Sequence, residues 1–161
     1  MKTVLIGLVF LLGALSGSAQ QVEYYGSTAS PISSGAIIPA GKKMLWTSGI
    51  VAGVADSTAA EGTYKRFGNT KMQALDILKT FEKTLKSRGL SFKDVIMLRV
   101  YVAPDRFQGG KHDYQGWFDA YAQYFGTKEN PVKPIRSTVG LASLVHPDKF
   151  IEIELVAAYP L

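Results

Sequence analysis

The sequence has 161 residues, 47% of them hydrophobic, 19% charged and 11% aromatic, the make-up of one globular domain with a substantial core; a disordered or collagen-like chain is excluded. It has no cysteine, which excludes disulfides, a thiolate nucleophile and cysteine-based zinc or iron–sulfur sites, so any catalysis must use oxygen and nitrogen groups. A net charge of +5 is modest for this length, weaker than a nucleic-acid binder's basic stripe and equally suited to an anionic small molecule.

The first twenty residues differ from the rest. Met1 and Lys2 give a short positive start, Val4 to Leu15 is an apolar run, and Gly17-Ser18-Ala19 presents the small residues a signal peptidase reads. We read residues 1–19 as a signal peptide cleaved after Ala19, which makes the mature protein periplasmic or secreted with no stable membrane anchor. A buried core helix or an uncleaved anchor is the competing reading, but the run is shorter than the ~20 apolar residues of a spanning helix. Residues 20–161 are then expected to form one domain.

Along that domain, Val22 to Tyr25 and Ala36 to Ile38 are short strand candidates around a Ser/Pro-rich turn with Pro31 and Gly35. Lys43 to Val51 reads as a strand closed by Ser48-Gly49. Ala52 to Phe67, with small residues from Ser57 to Ala60 and Gly62, reads as a long surface loop or lid. From Thr70 the period becomes helical: Met72, Leu75, Leu78, Phe81 and Leu85 make a stripe, Thr70 with Gln73 fits a capping box, and Gly89 marks the end.

Val95 to Val102 is apolar on both faces apart from Arg99 and predicts a central strand covered on both sides. Asp113 to Phe125 predicts a second helix with Trp117, Tyr121, Tyr124 and Phe125 on its core side and Gly126 as its stop. Two strands close the chain, Arg136 to Leu141 and Phe150 to Val156. In the last, a period of two puts Ile151, Ile153 and Leu155 on one face and Glu152 and Glu154 on the other. Carboxylates on such a strand are costly unless that face lines a cleft, an interface or solvent.

The stretch PIRSTVGLASL (Pro134 to Leu144) followed by FIEIELVA (Phe150 to Ala157) resembles the C-terminal signature of the RidA/YjgF family of imine and enamine deaminases. Upstream, Ser48-Gly49 at a strand end, the long helix from Thr70 and AYAQYF before the signature fall in the same order. The resemblance implies an α+β, chorismate-mutase-like fold, a mostly antiparallel sheet with two helices packed on one face. It also implies a homotrimer with clefts between subunits, whose packing would cover the second face of VIMLRVYV. The implied reaction is water attack on the C=N carbon of a 2-imino acid, or of an enamine acid after tautomerisation, giving a 2-keto acid and ammonia with no metal and no cofactor.

Carried over by position, Arg136 holds the substrate carboxylate with its planar fork, Glu152 positions the water, Ser48 and Gly49 stand at the cleft rim, and Thr138 takes a place often held by cysteine. For Arg136 and Glu152 the alternative is a structural ion pair at the subunit interface. The chain also departs from the family. Ile32 stands where a tyrosine is common, Ile50 where glutamine is usual, and Phe118 where asparagine is expected. These changes suggest a roomier, more apolar pocket, and the enlarged 52–67 loop offers Tyr64, Lys65 and Arg66 to a ligand.

His112 and His146 are the only histidines, and neither has a third clear metal ligand. Ser48 and Ser137 lack a nucleophile-elbow context. Three functions follow in order: an exported deaminase, a non-enzymatic small-carboxylate binder or chaperone-like protein on the same scaffold, and an RNA-binding or nuclease role. The last is expected only if binding survives physiological salt.

Overall fold

A computed structural model describes residues 21–160. The expected signal peptide, residues 1–19, lies outside the described residues.

Two short strands, β1 (Glu23–Tyr25) and β2 (Gly35–Ile37), form an antiparallel ribbon. The main sheet has the order β3-β9-β5-β8, with β3 Met44–Trp46, β5 Val95–Val102, β8 Ile135–Gly140 and β9 Ile151–Ala158. Strand β4 (Ile50–Val51) also pairs with β9. Every pairing in this sheet is antiparallel except β5 with β8, which is parallel. Two long helices, α2 (Thr70–Ser87) and α3 (Tyr114–Tyr121), pack on one face, after a single turn α1 (Tyr64–Phe67). A small hairpin, β6 (Pro104–Asp105) and β7 (Lys111–His112), links β5 to α3. This is the α+β arrangement that the sequence implied.

Alternation along the strands builds the core. Leu98, Val100 and Val102 of β5, with Ile151, Ile153 and Leu155 of β9, bury against Ala74, Ile77, Leu78, Phe81 and Leu85 of α2 and Trp117 and Ala120 of α3. The helical stripe is turned from the one expected. Met72 is 43% exposed, while Thr70 and Gln73 are fully buried. The cap is Asn69, whose side chain accepts from Met72 N at 3.1 Å. Thr70 cannot cap because its amide and hydroxyl are both held by Asp105, at 2.7 and 2.9 Å. Gln73 instead bridges α2 to the approach of β9, donating to Asp148 O and accepting from Phe150 N, each at 2.8 Å. Gly89 follows the helix at φ 71°, as its position predicts.

The single strand expected over Lys43–Val51 is two. At Thr47 the hydroxyl accepts from Leu155 N at 3.0 Å while the Thr47 amide donates to Leu155 O at 3.1 Å. The side chain thus stands in for the main-chain carbonyl, and the backbone leaves the ladder over Ser48-Gly49 before rejoining it at Ile50. Helix α3 also stops at Tyr121, four residues short of expectation, although Tyr124 and Phe125 still pack edge-on against Phe92 at 5.0 and 5.3 Å.

The segment 52–67 is stapled down rather than poised as a lid. Gly53 N donates to Asp76 at 2.7 Å, Ala55 N to Arg66 O at 2.8 Å, and Gly62 N to Asp148 at 2.9 Å. Lys149 donates to Ala52 O and lies 3.6 Å above the buried Phe67 ring. Burial lowers the Lys149 pKa from its ordinary value.

The other face of the sheet carries Trp46, Arg99, Tyr101, Glu152 and Glu154. The ribbon covers one end of it, where Val22, Tyr24, Met44 and Met97 pack on Ile96, Val156 and Ala158. The rest is open within one chain: Trp46 is 62% exposed. Arg99 is not isolated there, since it pairs with Glu154 at 3.1 Å, and the same carboxylate accepts from Tyr101 at 3.0 Å.

Candidate functional site

Arg136 is set by register. It lies opposite Leu98 in the parallel β5–β8 pairing, so it projects from the helix-covered face near the free edge of the sheet. There α3 meets it with three rings: the guanidinium carbon is 4.5 Å from the Tyr121 centroid, 4.8 Å from Phe118 and 5.7 Å from Trp117. Positions 117, 118 and 121 are a helical i, i+1, i+4 set, which wraps one side chain from two sides. Such contacts hold the cation by the ring quadrupoles and leave its N–H fork free. Burial lowers the Arg136 pKa from its ordinary value, partly offset by Tyr121. Nη1 is buried with no hydrogen-bond partner.

A cavity of about 520 Å³ opens over this guanidinium between α3 and residues 29–31. Its walls include Pro31, Phe118, Tyr121, Ala122 and Phe125, with Gln115, Asp119 and Lys133 toward the rim. The wall opposite α3 is held in place. Tyr121 donates to Pro31 O at 3.0 Å, and Lys133 Nζ donates to Thr28 O and Ser30 O at 2.8 Å each. Burial pushes the Tyr121 hydroxyl up to about 12, so it is a donor at every working pH. Thr138, two residues along the same face of β8, also has a buried hydroxyl with no partner, as does the Trp117 indole nitrogen. Buried polar atoms are normally paired, and of these three residues Arg136 is the one that lines the cavity, so its free N–H is the one a ligand's polar atom can reach.

Glu152 stands on the opposite face. It lies across from Tyr101 and Val51, and its carboxylate covers Gly49 so closely that a methyl group there would collide with it. Ser48, next to it, is exposed. The expected residues therefore fall into two groups, Arg136 with Thr138 and Glu152 with Ser48-Gly49, on opposite faces of one sheet. Arg136 forms no ion pair within the chain among the described residues; the pair on this sheet is Arg99–Glu154.

The departures at the family positions also sort themselves. Phe118 lines the Arg136 cavity, as expected. Ile32 does not: it packs on the main core and borders a neighbouring hollow with Tyr24, Tyr25 and Pro131. Ile50 lies across from Ile153 and packs on the same core. From the 52–67 segment, Arg66 is occupied by Ala59 O at 2.8 Å and Tyr64 packs edge-on to Phe107, so neither serves this cavity. The histidines have structural partners: His112 Nε2 lies 3.0 Å from Leu141 O, and His146 Nδ1 accepts from Asp148 N at 3.1 Å.

Helical period places Trp117 and Tyr121 on the core side of α3 and carries no link to Arg136; the one signal in the residues is Phe118, a large apolar side chain off the core-facing stripe.

Residues 30–159 match the family described as Endoribonuclease L-PSP. Among solved structures, the chain resembles the Rid-family protein YyfB from Yersinia pestis, at 21% identity and a TM-score of 0.62 over 87% of this chain and all of that one. A member of the YjgF/YER057c/UK114 family from Mycobacterium tuberculosis matches at 22% identity and a TM-score of 0.52, covering 86% of this chain and 98% of the other. TdcF from E. coli with bound serine matches at 24% identity and 0.55, over 76% and 84% respectively.

Proposed function

The chain belongs to the Endoribonuclease L-PSP family, with YjgF and Rid proteins as its structural relatives, and from that premise we propose that it hydrolyses 2-imino and enamine acids to 2-keto acids and ammonia. The observation that carries this reading is Arg136, a cation fixed by three rings with a buried, unpartnered N–H beside a cavity. A carboxylate accepting two parallel bonds from its fork is the ligand chemistry that such a group favours. The E. coli relative with bound serine agrees with a fold able to receive a molecule of that kind.

With the carboxylate on Arg136, the adjacent C=N carbon is presented to water. The water oxygen forms a bond to that carbon while the π pair moves to nitrogen. Glu152 takes a proton from the water and returns it to nitrogen, giving a carbinolamine; the remaining hydroxyl proton then passes to nitrogen as the C–N bond breaks, so that ammonia leaves with the pair and the oxygen closes a C=O bond. An enamine enters the same route after one proton is added at carbon. Thr138, Ser48 and Gly49 complete the binding surface.

Since Arg136 and Glu152 occupy opposite faces of one sheet, this mechanism takes Glu152 from a second copy. We place the site in the clefts of an exported homotrimer whose subunits pack their open faces, with Trp46 and Val51, against one another.

The test generates an imino acid in situ with an amino-acid oxidase and follows its decay. Wild type is expected to accelerate the decay and Arg136→Ala to abolish the effect; decay at the uncatalysed rate with wild type would refute the reading. The separation of Arg136 from Glu152 also favours a second reading, a non-enzymatic carboxylate binder, which predicts ligand-dependent thermal stabilisation without turnover.

A further inference from the structure

Two large rings of α3 are exposed, Tyr114 at 37% and Phe118 at 38%, while Trp117 and Tyr121 are buried. Of the exposed two, Phe118 is the one that lines the cavity, and one face of its ring is already against the Arg136 guanidinium. What remains of it borders the cavity together with Pro31, Ala122, Tyr121 and Phe125. A carboxylate on Arg136 is therefore anchored at the foot of an apolar, partly aromatic wall.

The volume and charge of the cavity narrow the occupant. At about 520 Å³ it lies within the ~300–1,000 Å³ range of sites that enclose drug-sized ligands, and a three-carbon acid would leave most of it to water. The rim cation, Lys133, is committed to two backbone carbonyls. The rim anion, Asp119, is held by Gln115 at 2.7 Å and Lys71 at 3.2 Å and repels a second carboxylate. One carboxylate on Arg136 with an apolar remainder against Pro31, Phe118, Ala122 and Phe125 matches this lining, and a second carboxylate would meet Asp119.

We propose that the Arg136 cavity selects monocarboxylates that carry an aromatic side chain, and that Phe118 is the residue that determines this specificity. The inference rests on the carboxylate-binding role of Arg136 put forward above and names the substrate class for it. Aromatic faces reward a flat partner in offset or edge-on contact beyond the area they bury, which an aliphatic chain of equal volume does not obtain.

Isothermal titration of the full protein with 3-phenylpropionate and with propionate tests it, since neither probe is hydrolysed. Wild type is expected to bind 3-phenylpropionate at least about tenfold more tightly than propionate, the scale of discrimination a few apolar groups provide. Phe118→Ala should reduce the ratio of the two affinities to below about threefold, and Arg136→Gln should abolish binding of both. Phe118→Leu, which keeps bulk but not the ring, should fall between wild type and Phe118→Ala and guards against a folding defect. Equal affinities in wild type, or a ratio that Phe118→Ala leaves untouched, would overturn the proposal. Discrimination without any acceleration of imine decay would uphold it while removing the deaminase reading; rapid turnover with no discrimination would do the reverse.

Discussion

Arg136 and Glu152 face away from each other: Arg136 shares the helix-covered face with Leu98, and Glu152 shares the opposite face with Tyr101. Side chains on strands alternate strictly, so no change of rotamer brings the two groups to one side of an intact sheet. A site that uses both must draw them from two chains.

That requirement is testable by complementation. Arg136→Ala and Glu152→Gln should each be inactive alone. Co-expressed with different tags and isolated as trimers that carry both, they should recover about a third of wild-type activity, because one of the three interfaces in each mixed trimer pairs an intact Arg136 with an intact Glu152. A site confined to one chain would recover nothing.

The contact between Gly49 and Glu152 gives a second expectation. A methyl group at Gly49 meets the flexible end of Glu152 rather than backbone, so Gly49→Ala should fold normally and displace the carboxylate. Misplacing a reacting group by about 1 Å can cost on the order of a hundredfold in rate, so kcat should fall by about tenfold to a hundredfold while the thermal midpoint barely moves. Steady-state kinetics on the imine assay and a melting curve on the same preparation check this.

Alkaline stability follows from two buried phenols. Tyr121 and Tyr24, the latter donating to Val95 O at 3.2 Å, are both pushed up to about 12 by burial, with Asp94 adding to the effect at Tyr24. In the unfolded chain both titrate near the ordinary value of about 10. Between those values the folded protein keeps protons that the unfolded chain releases, so stability is full below about pH 10 and falls as pH rises toward 12, by up to about 1.4 kcal/mol per pH unit for each group. Urea midpoints across roughly pH 9 to 11 should drop, and Tyr121→Phe or Tyr24→Phe should flatten the slope.

Asp105 is the most committed carboxylate of the fold. Fully buried, it accepts from Thr70 N, Thr70 Oγ1 and Phe107 N, tying the hairpin after β5 to the start of α2. Asp105→Ala strands three donors, and a loss of about 2–4 kcal/mol in urea unfolding is expected. Asp119→Ala, at an exposed pair with Lys71, should cost less than about 1 kcal/mol in the same measurement.

Much of this was legible in the residues. The helix ending at Gly89 and the alternation of Ile151, Ile153 and Leu155 with Glu152 and Glu154 follow from periodicity, because these are short-range properties. The errors were those of competition between partners. Thr70 has the right chemistry for a cap, yet Asp105, thirty-five positions away, takes its hydroxyl, and Asn69 caps instead. Thr47 breaks a strand because its hydroxyl finds Leu155 N. Arg66, with the charge and reach for a ligand, spends Nη1 on Ala59 O within its own loop.

The sequence by itself determined the fold class, the family and which residues are candidates for a site, since hydrophobic period, turn residues and the arginine and glutamate motifs are local in the chain. Only the tertiary structure decided what those residues face. The parallel register of β8 on β5 turned Arg136 toward the rings of α3 and away from Glu152, and the same packing made Phe118 a cavity wall and Ile32 a core residue. Which of two faces a strand residue occupies depends on pairings between segments distant in sequence, and those are fixed by burial of the whole sheet rather than by any stretch of it.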